Sequence, residues 1–192
     1  MPYSKAHKEQ SRLSILKSAV RLFTRKGFDK TSINEVMADA KLTRGAFYAH
    51  FKSKQDLYCQ AIASTPVFSQ LTKPKPDDLD EKAWLALLVS RYLSMVHVEK
   101  AGLPCPLAFL VTDVAVSELS TRQAYTDVYL KMNQLIQAYT RTFTQIDKGS
   151  VMAVTAMMIG GVAVARTLSD RQSQDQLLKS CQQVALELLG AG

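Results

Sequence analysis

Two short amphipathic segments separated by a tight turn set the strongest limit on how this chain can fold. In the first, Ser32 can cap a helix, and Glu35 follows three residues later, which is the spacing of a capping box. After a turn of about three residues, Thr43 can cap a second helix that runs to about Phe51. So short a connection between two helices predicts a helix-turn-helix over about residues 32–51.

Two further helical patterns flank this pair. Before it, apolar side chains recur at helical spacing over 13–23, and Gly27 supplies a helix stop. After it, another helical pattern begins beyond Ser53 and stops before Pro66. The alternation of apolar and polar residues that is typical of strands does not occur. We therefore expect residues 1–66 to form an all-helical domain.

The net positive charge of the chain lies in this predicted domain. Residues 1–62 contain twelve Lys/Arg and five Asp/Glu, whereas residues 63–192 contain twelve of each, so the formal charge of +7 belongs to the first third. A charge excess on one folded unit is typical of a surface that binds phosphate. Anionic membrane lipid would be the alternative partner, and the helix-turn-helix favours double-stranded DNA.

The segment from Leu42 to Leu57 has the spacing Gly-x-Phe-Tyr-x-His-Phe-x-x-Lys-x-x-Leu and resembles the signature of TetR-type transcriptional regulators. The resemblance covers about residues 9–69. It implies an all-α fold, with a three-helix helix-turn-helix domain followed by an all-helical effector-binding and dimerisation domain over 67–192. It also implies a sequence-specific repressor that a small molecule releases from its operator, the effector being an electrophile or oxidant in some family members.

The resemblance gives individual positions of the helix-turn-helix a role in DNA binding. Thr43 and Arg44 begin the recognition helix, where family members place groups on base edges, and an arginine there can pair bidentately with guanine. Tyr48 and His50 resemble the residues that clamp the DNA backbone, unless Tyr48 is a packing ring and His50 an ordinary surface residue. Gly45 lets the helix approach DNA or its partner helix closely.

Other positions are expected to contact phosphate without reading sequence. Thr31 and Lys54 resemble phosphate contacts of the family, and Lys41 and Lys52 add unspecific attraction. The phenyl rings at 47 and 51 are assigned to the core. The expected DNA-binding residues are Thr31, Ser32, Lys41, Thr43, Arg44, Gly45, Tyr48, His50, Lys52 and Lys54.

Helical patterns continue through the second predicted domain. The stretch Lys73-Pro-Lys-Pro76 is predicted to be a linker, because its two prolines exclude regular structure. Helices are then expected over about 80–100, from Pro106 onward and over about 121–145, followed by two helices near 149–165 and 173–189.

The last two helices predict self-association. Residues 149–165 are uncharged, and small residues recur there at helical spacing, which allows close approach of a second helix. A membrane span is the alternative, although seventeen residues is the lower limit for one. Two such helices from each of two chains would form a homodimeric four-helix bundle, which implies a near-palindromic operator. The expected interface residues are Ala153, Ala156, Gly160, Ala163, Leu177, Cys181, Val184 and Leu188.

An unidentified small-molecule effector is implied by the family resemblance, among the helices from about residue 80 to 166. Aromatic and methionine side chains at helical spacing could line its cavity, although the same stripe is typical of a plain core. Cys105 lies between two prolines where a helix begins, and a helix dipole there can lower the pKa of a thiol and make it reactive. A buried, inert thiol is the alternative. The candidate effector residues are Tyr92, Cys105, Phe109, Tyr125, Tyr129 and Met157.

Catalysis is not expected. The sequence lacks the usual hydrolase, metalloprotease and phosphate-binding motifs. His97-Val-Glu99 with Pro104-Cys105 faintly resembles the motif of zinc deaminases, but the second cysteine of that motif is missing. We expect no metal and no cofactor. A helical scaffold for protein partners would not need the segregated charge. Three distant cysteines and a polar N-terminus without an apolar signal predict the reducing cytoplasm.

Overall fold

The computed structural model describes residues 5–64, 74–99 and 104–192, and these residues form helices and no strands. The chain is therefore all-α, as its sequence pattern predicts. The helices are α1 (Lys5–Lys26), α2 (Ile33–Asp39), α3 (Arg44–Phe47), α4 (Lys54–Ala63), α5 (Glu81–Tyr92), α6 (Met95–Val98), α7 (Pro106–Phe109), α8 (Val111–Ala115), α9 (Leu119–Thr140), α10 (Lys148–Ala165) and α11 (Arg171–Leu188).

The described residues group into two compact units. The first is drawn from residues 1–65 and 103–128, so it contains α1 to α4, α7, α8 and the first part of α9. The second is drawn from residues 66–102 and 129–192, and it contains α5, α6, the rest of α9, α10 and α11. A domain boundary at residue 66 remains a prediction.

Local capping explains where the first helices begin and end. Ser32 caps α2 by accepting a hydrogen bond from the Glu35 amide, and the Glu35 carboxylate accepts one from the Ser32 amide, so the predicted capping box is confirmed. Ser53 caps α4 by accepting from the Asp56 amide. Helix α1 ends before Gly27, whose φ of 81° is the left-handed conformation that glycine adopts without strain.

Aromatic side chains fill the core of the first unit. Phe23, Phe47, Phe51 and Tyr58 are all almost completely buried. The Phe23 and Tyr58 rings meet edge-on, with centroids 4.7 Å apart, and the two other rings pack at 5.7 Å. The assignment of Phe47 and Phe51 to the core is confirmed.

The recognition helix is shorter than the sequence predicts. Helix α3 ends at Phe47, and residues 48–50 form a turn in which the His50 amide donates to the Phe47 carbonyl over 2.9 Å. The Phe51 amide donates to the same carbonyl over 3.0 Å, and both phenyl rings are buried in the core. The turn that precedes α3 contains Lys41, whose φ of 57° is positive.

Three predicted helices of the remaining chain are divided or shortened. The helix expected over 80–100 is interrupted at Leu93, whose ψ of 54° is not helical and whose carbonyl accepts a hydrogen bond from Gln182 over 2.6 Å. The helix expected from Pro106 is two short helices that meet at Leu110. Helix α9 ends at Thr140, whose hydroxyl donates to the Gln137 carbonyl, five residues before the expected end.

The other predicted elements of this part of the chain agree with the structure. Pro106 occupies the first turn of α7, and α10 and α11 span the two apolar stretches near the end of the chain. Residues 74–80 contain no helix, as expected of the linker. The rest of the predicted linker, the stop at Pro66 and the expected helix end at Lys100 lie outside the described residues.

Candidate nucleic-acid interface

Most of the residues expected to contact DNA lie on the surface of the first unit. Helices α2 and α3 and the turns beside them carry these residues, while α1 and α4 pack against each other behind them. The exposed members of the set are Ser32, Lys41, Thr43, Arg44, Gly45, Tyr48 and Lys52, and His50 and Lys54 are half-buried. The structure therefore leaves nine of the ten expected side chains at least partly accessible.

The beginning of the recognition helix is open to solvent. Thr43 is the N-cap of α3 but makes no side-chain cap hydrogen bond, so its hydroxyl is not used in holding the helix. A Cβ added at Gly45 would meet nothing within 4 Å, so the surface beside it is clear. Arg44 is exposed between them. This arrangement suits side chains that reach into the major groove.

Tyr48 presents most of its ring to solvent. It is 61% exposed, and its ring stands edge-on to the buried Phe47 ring at a centroid distance of 5.2 Å. The packed edge fixes the ring, while the rest of the side chain projects outward. A phenol held in this way can donate to a phosphate oxygen with little loss of side-chain entropy.

Thr31 does not suit the phosphate-contacting role that the family resemblance gives its side chain. Only 1% of the residue is exposed, and its hydroxyl donates to the Gly27 carbonyl over 2.8 Å. The hydroxyl satisfies a carbonyl left open at the end of α1. We therefore assign Thr31 to the folding of the α1–α2 turn and leave its side chain out of the interface.

Lys54 contacts other residues of the first unit. Its ammonium lies 4.2 Å from the centroid of the Phe28 ring and 3.5 Å from the Asp29 carbonyl oxygen. A cation over an aromatic face is stabilised by the ring quadrupole. Lys54 thus connects α4 to the α1–α2 turn. Lys52, two residues earlier, is exposed, and its backbone amide donates to Asp56.

The N-terminal half of α1 also reaches this region, which the sequence interpretation missed. The pKa of His50 lies below its ordinary value, mainly because of burial and then because of the positive charges of Lys8 and Arg12. Arg12 also donates to Gln60 over 2.6 Å, and its guanidinium lies 5.9 Å from the Phe51 ring centroid. The four-residue spacing of Lys8 and Arg12, which puts both on one helix face, was the available signal.

Acidic side chains of this unit are paired within it. Glu35 accepts from Lys26 over 2.7 Å, and Asp39 accepts from Arg21. The Lys26 ammonium, followed by the Ser32 amide, lowers the pKa of Glu35 to about 2. These carboxylates stay ionised and neutralise cations at the α1–α2 side. Cations of the α2–α3 turn and the recognition helix, among them Lys41 and Arg44, therefore dominate the charge of the exposed face.

The candidate effector residues are divided between the two units. In the first, Cys105 and Phe109 are buried, and the Tyr125 hydroxyl donates to the Leu107 carbonyl over 2.7 Å. In the second, the Tyr129 hydroxyl donates to the Met152 carbonyl over 3.1 Å. The remaining members, Tyr92 and Met157, lie in this second unit, and the Tyr92 ring packs edge-on against His97 at 4.5 Å.

Several of the expected dimer residues form an exposed apolar strip on α10 and α11. Ala153, Ala156, Val184 and Leu188 are exposed, and Ala163, Gly160 and Leu177 are half-exposed. Cys181 differs, because its sulfur packs toward Gly161 within the same chain. Two exposed residues that the sequence interpretation left out, Met152 and Val164, belong to the same helix.

Two properties of the described residues bear on a metal site and on a membrane span. Within residues 5–64, 74–99 and 104–192, no group of three or more His, Cys, Asp or Glu side chains could hold a metal ion. In the same part of the chain, α10 is the single helix long and apolar enough to cross a membrane by length and composition. Eight of its 18 residues are buried in the second unit, and core helices of soluble proteins can have the same length and apolar composition.

Comparison with known proteins identifies the helix-turn-helix region. The family described as bacterial regulatory proteins, tetR family, matches residues 15–61. The regulator AcrR of Shigella flexneri is 42% identical over 57 residues, which are 30% of this chain and 26% of AcrR. A probable acrEF/envCD operon repressor of Escherichia coli (strain K12) is 31% identical over 68 residues, 35% of this chain and 31% of that protein. The chain thus aligns with about a third or less of these relatives.

Solved structures extend the similarity to the whole fold. The reduced form of Escherichia coli NemR has a TM-score of 0.75 at 13% identity, covering 93% of this chain and 96% of NemR. The regulator FadR from Bacillus subtilis, in complex with stearoyl-CoA, has a TM-score of 0.56 at 18% identity, covering 92% of this chain and 96% of FadR. Relatives named as transcriptional regulators also agree with the expectation that the chain is not an enzyme.

Proposed function

We propose that this chain, whose residues 15–61 match the tetR family of bacterial regulatory proteins, is a sequence-specific transcriptional repressor that binds double-stranded DNA. The observation that carries the proposal is the open surface at the beginning of α3, where Thr43, Arg44 and Gly45 are exposed beside a fixed Tyr48. The similarity to a probable operon repressor supports repression over activation.

Thr43 and Arg44 contact base edges in this proposal, since the N-terminal end of a recognition helix enters the major groove. Tyr48 and His50 contact the backbone of the flanking DNA. Lys41 and Lys52 supply attraction to phosphate that is independent of sequence. Lys54 acts mainly by holding the α1–α2 turn against α4, as its contact with the Phe28 ring indicates.

The repressor acts as a homodimer in this proposal. The exposed apolar strip on α10 and α11, from Ala153 to Leu188, supports pairing with a second copy, because burying such a strip from both chains removes apolar surface from water. Two-fold symmetry would present two recognition helices and select a near-palindromic operator. A dimer in the cytoplasm is preferred to a membrane span of α10, because that helix already buries eight residues in its own unit.

A small-molecule effector is proposed to release the repressor from its operator. The structural similarity to a regulator solved with stearoyl-CoA supports a ligand site among the helices beyond residue 80. The similarity to NemR, solved in a form described as reduced, makes an electrophile or oxidant worth testing. Cys105 is only 2% exposed, so a reagent would reach its thiol only through local opening. Alkylation of wild-type protein and of Cys105→Ser, followed by DNA titration, tests this specific effector.

The proposed function is tested by selecting bound fragments from the source genome with the full-length protein. We expect recovery of near-palindromic duplexes whose affinity falls by orders of magnitude from about 50 to about 200 mM salt. The neighbouring genes would also suggest the effector. Recovery of random fragments only, or affinity that does not change with salt, would contradict the proposal. A helical scaffold for protein partners would show neither behaviour.

A further inference from the structure

Asp113 on α8 is hydrogen-bonded to two separate elements of the helix-turn-helix domain. Its carboxylate accepts from the backbone amide of Phe28, with Oδ2 at 3.2 Å and Oδ1 at 3.4 Å from the nitrogen. It also accepts from the phenol of Tyr58 on α4. Phe28 is 85 residues and Tyr58 is 55 residues away in the chain. All three residues belong to the first compact unit.

The α1–α2 turn is built to receive this carboxylate. Gly27 has a φ of 81°, and a Cβ added there would lie 3.0 Å from Asp113 Oδ1. The absence of a side chain at Gly27 therefore allows the carboxylate to approach the amide that follows it. The rings of its two donor residues, Phe28 and Tyr58, pack beside each other with centroids 4.9 Å apart. Tyr58 is completely buried, so water competes little for its hydrogen bond to the half-buried carboxylate.

Tyr58 keeps its proton and remains a donor. It is completely buried, and burial followed by the hydrogen bond to Asp113 raises the pKa of its phenol above the ordinary value. A second contact joins the same two parts of the unit, since Gln55 in the first turn of α4 donates to the hydroxyl of Thr121. That hydroxyl lies 3.7 Å from the Cys59 sulfur and is buried. Helix α4 is thus joined to residues 113–121 at two successive turns.

From these contacts we propose that Asp113 is a positioning residue for DNA binding. It holds the α1–α2 turn and α4 in the arrangement that presents the recognition helix, and a displacement of α8 is passed to both through its two hydrogen bonds. The inference rests on the proposed DNA-binding function and deepens it, because it names the side chain that joins α8 to the α1–α2 turn and α4. Asp113 itself need not contact DNA.

The charge of Asp113 makes the test unusually clear. Replacing it with asparagine removes one negative charge from the protein, which by itself weakens repulsion of phosphate. A loss of operator affinity in Asp113→Asn would therefore oppose the general charge effect. Asp127→Asn is the matched control, because Asp127 is an exposed carboxylate of the same unit whose described partner is Gln123 on its own helix.

The experiment titrates full-length wild type, Asp113→Asn, Tyr58→Phe, the double variant and Asp127→Asn against the selected operator and against random duplex. We expect Asp113→Asn to bind the operator about tenfold more weakly, at the low end of typical coupling between sites, with random DNA unchanged or slightly favoured. Because Asp113 acts partly through Tyr58, the double variant should lose less than the two single losses combined. Asp127→Asn should show only the small general gain.

Amide hydrogen exchange supplies a readout that does not depend on DNA. The Phe28 amide should exchange at least about tenfold faster in Asp113→Asn than in wild type, while amides in the middle of α10 keep their protection. If Asp113→Asn does not fold, Tyr58→Phe tests the same connection by removing one hydroxyl. Wild-type protein that binds no duplex contradicts the proposed function. Wild type that binds, with Asp113→Asn retaining both operator preference and Phe28 protection, contradicts this inference alone.

Discussion

Gly160 and Gly161 are neighbours in α10 whose Cα atoms face different surroundings. A Cβ at Gly161 would lie 3.0 Å from a methyl carbon of Leu93 and 3.1 Å from the sulfur of Cys181, so this glycine permits close packing within one chain. A Cβ at Gly160 would meet nothing within 4 Å. Substitutions at these two adjacent positions can therefore distinguish effects on packing inside the second unit from effects on the association of two chains.

Gly160→Glu is expected to give monomers that remain folded and bind the operator more weakly. The added carboxylate has room in the isolated chain but would be buried without a partner in a dimer. Gly161→Ala should instead lower the free energy of unfolding by about 1 kcal/mol, since crowding outweighs the gain in helix propensity, and should leave the dimer intact. Analytical ultracentrifugation and urea unfolding measure the two effects. A dimeric Gly160→Glu protein would place the interface elsewhere.

Arg44 and Lys52 are expected to differ in what they contribute to DNA binding. Arg44→Ala should relax preference at one base pair in each half-site, costing about 1–3 kcal/mol for the preferred base. Lys52→Ala should weaken all duplexes about equally and reduce the salt slope by about one unit. Titrations against operator variants at several salt concentrations measure both. If Lys52→Ala changed base preference and Arg44→Ala did not, our orientation of the recognition helix would be wrong.

His50 is expected to make DNA binding stronger at low pH. Burial and the charges of Lys8 and Arg12 hold its pKa below 6.5 in the free protein, whereas a neighbouring phosphate would raise it in the complex. Binding would then take up a proton. The contribution to affinity is fully present below the free-protein pKa and is lost as pH rises through the pKa of the complex.

The measurement for His50 compares wild type with His50→Gln in DNA titrations from about pH 7.5 to about pH 5.5. The affinity of wild type should rise more steeply than that of His50→Gln as the pH falls. Parallel curves for wild type and His50→Gln would mean that His50 does not lie near phosphate.

Glu35 is expected to stabilise the folded protein in a defined acidic range. Its pKa is lowered from 4.5 to about 2, first by the Lys26 ammonium and then by the Ser32 amide. The contribution to folding is therefore present above pH 4.5 and is lost as the pH falls through about 2. Urea unfolding should show the gap between wild type and Glu35→Gln closing over this range. Glu118→Gln, at an exposed position, is the matched control for the loss of one carboxylate.

The helices with strong local signals could be predicted from the sequence. Ser32 with Glu35, Ser53 and Gly27 fix helix ends through contacts only a few residues apart, so their spacing is visible in the chain. The interruption at Leu93 was missed because its carbonyl is satisfied by Gln182, 89 residues later. The early end of the recognition helix was missed because Phe47 and Phe51 are four residues apart, so their apolar pattern is equally typical of a continuous helix.

In the candidate interface, too, features set by local spacing could be predicted, whereas features set by distant partners could not. Exposure of Arg44 and Tyr48 follows from helical periodicity, which assigns Phe47 to the core and leaves its neighbours outside. The burial of Thr31 depends on the Gly27 carbonyl, and the position of Lys54 depends on the Phe28 ring. A family resemblance transfers residue types but not these partners. The role of Asp113 could not be predicted, because the two groups that donate hydrogen bonds to it belong to residues 85 and 55 positions away in the chain.

With a left-handed backbone at Lys41, the proposed interface gains affinity for DNA at the expense of thermal stability. A lysine adopts a φ of 57° at a cost of about 1–2 kcal/mol, which glycine would avoid. Glycine would also remove the ammonium that attracts phosphate in the proposed interface. Laboratory evolution for thermal survival alone should therefore replace Lys41, whereas evolution under selection for tight gene silencing should retain it. A more thermostable variant that keeps the proposed function should therefore leave this turn unchanged.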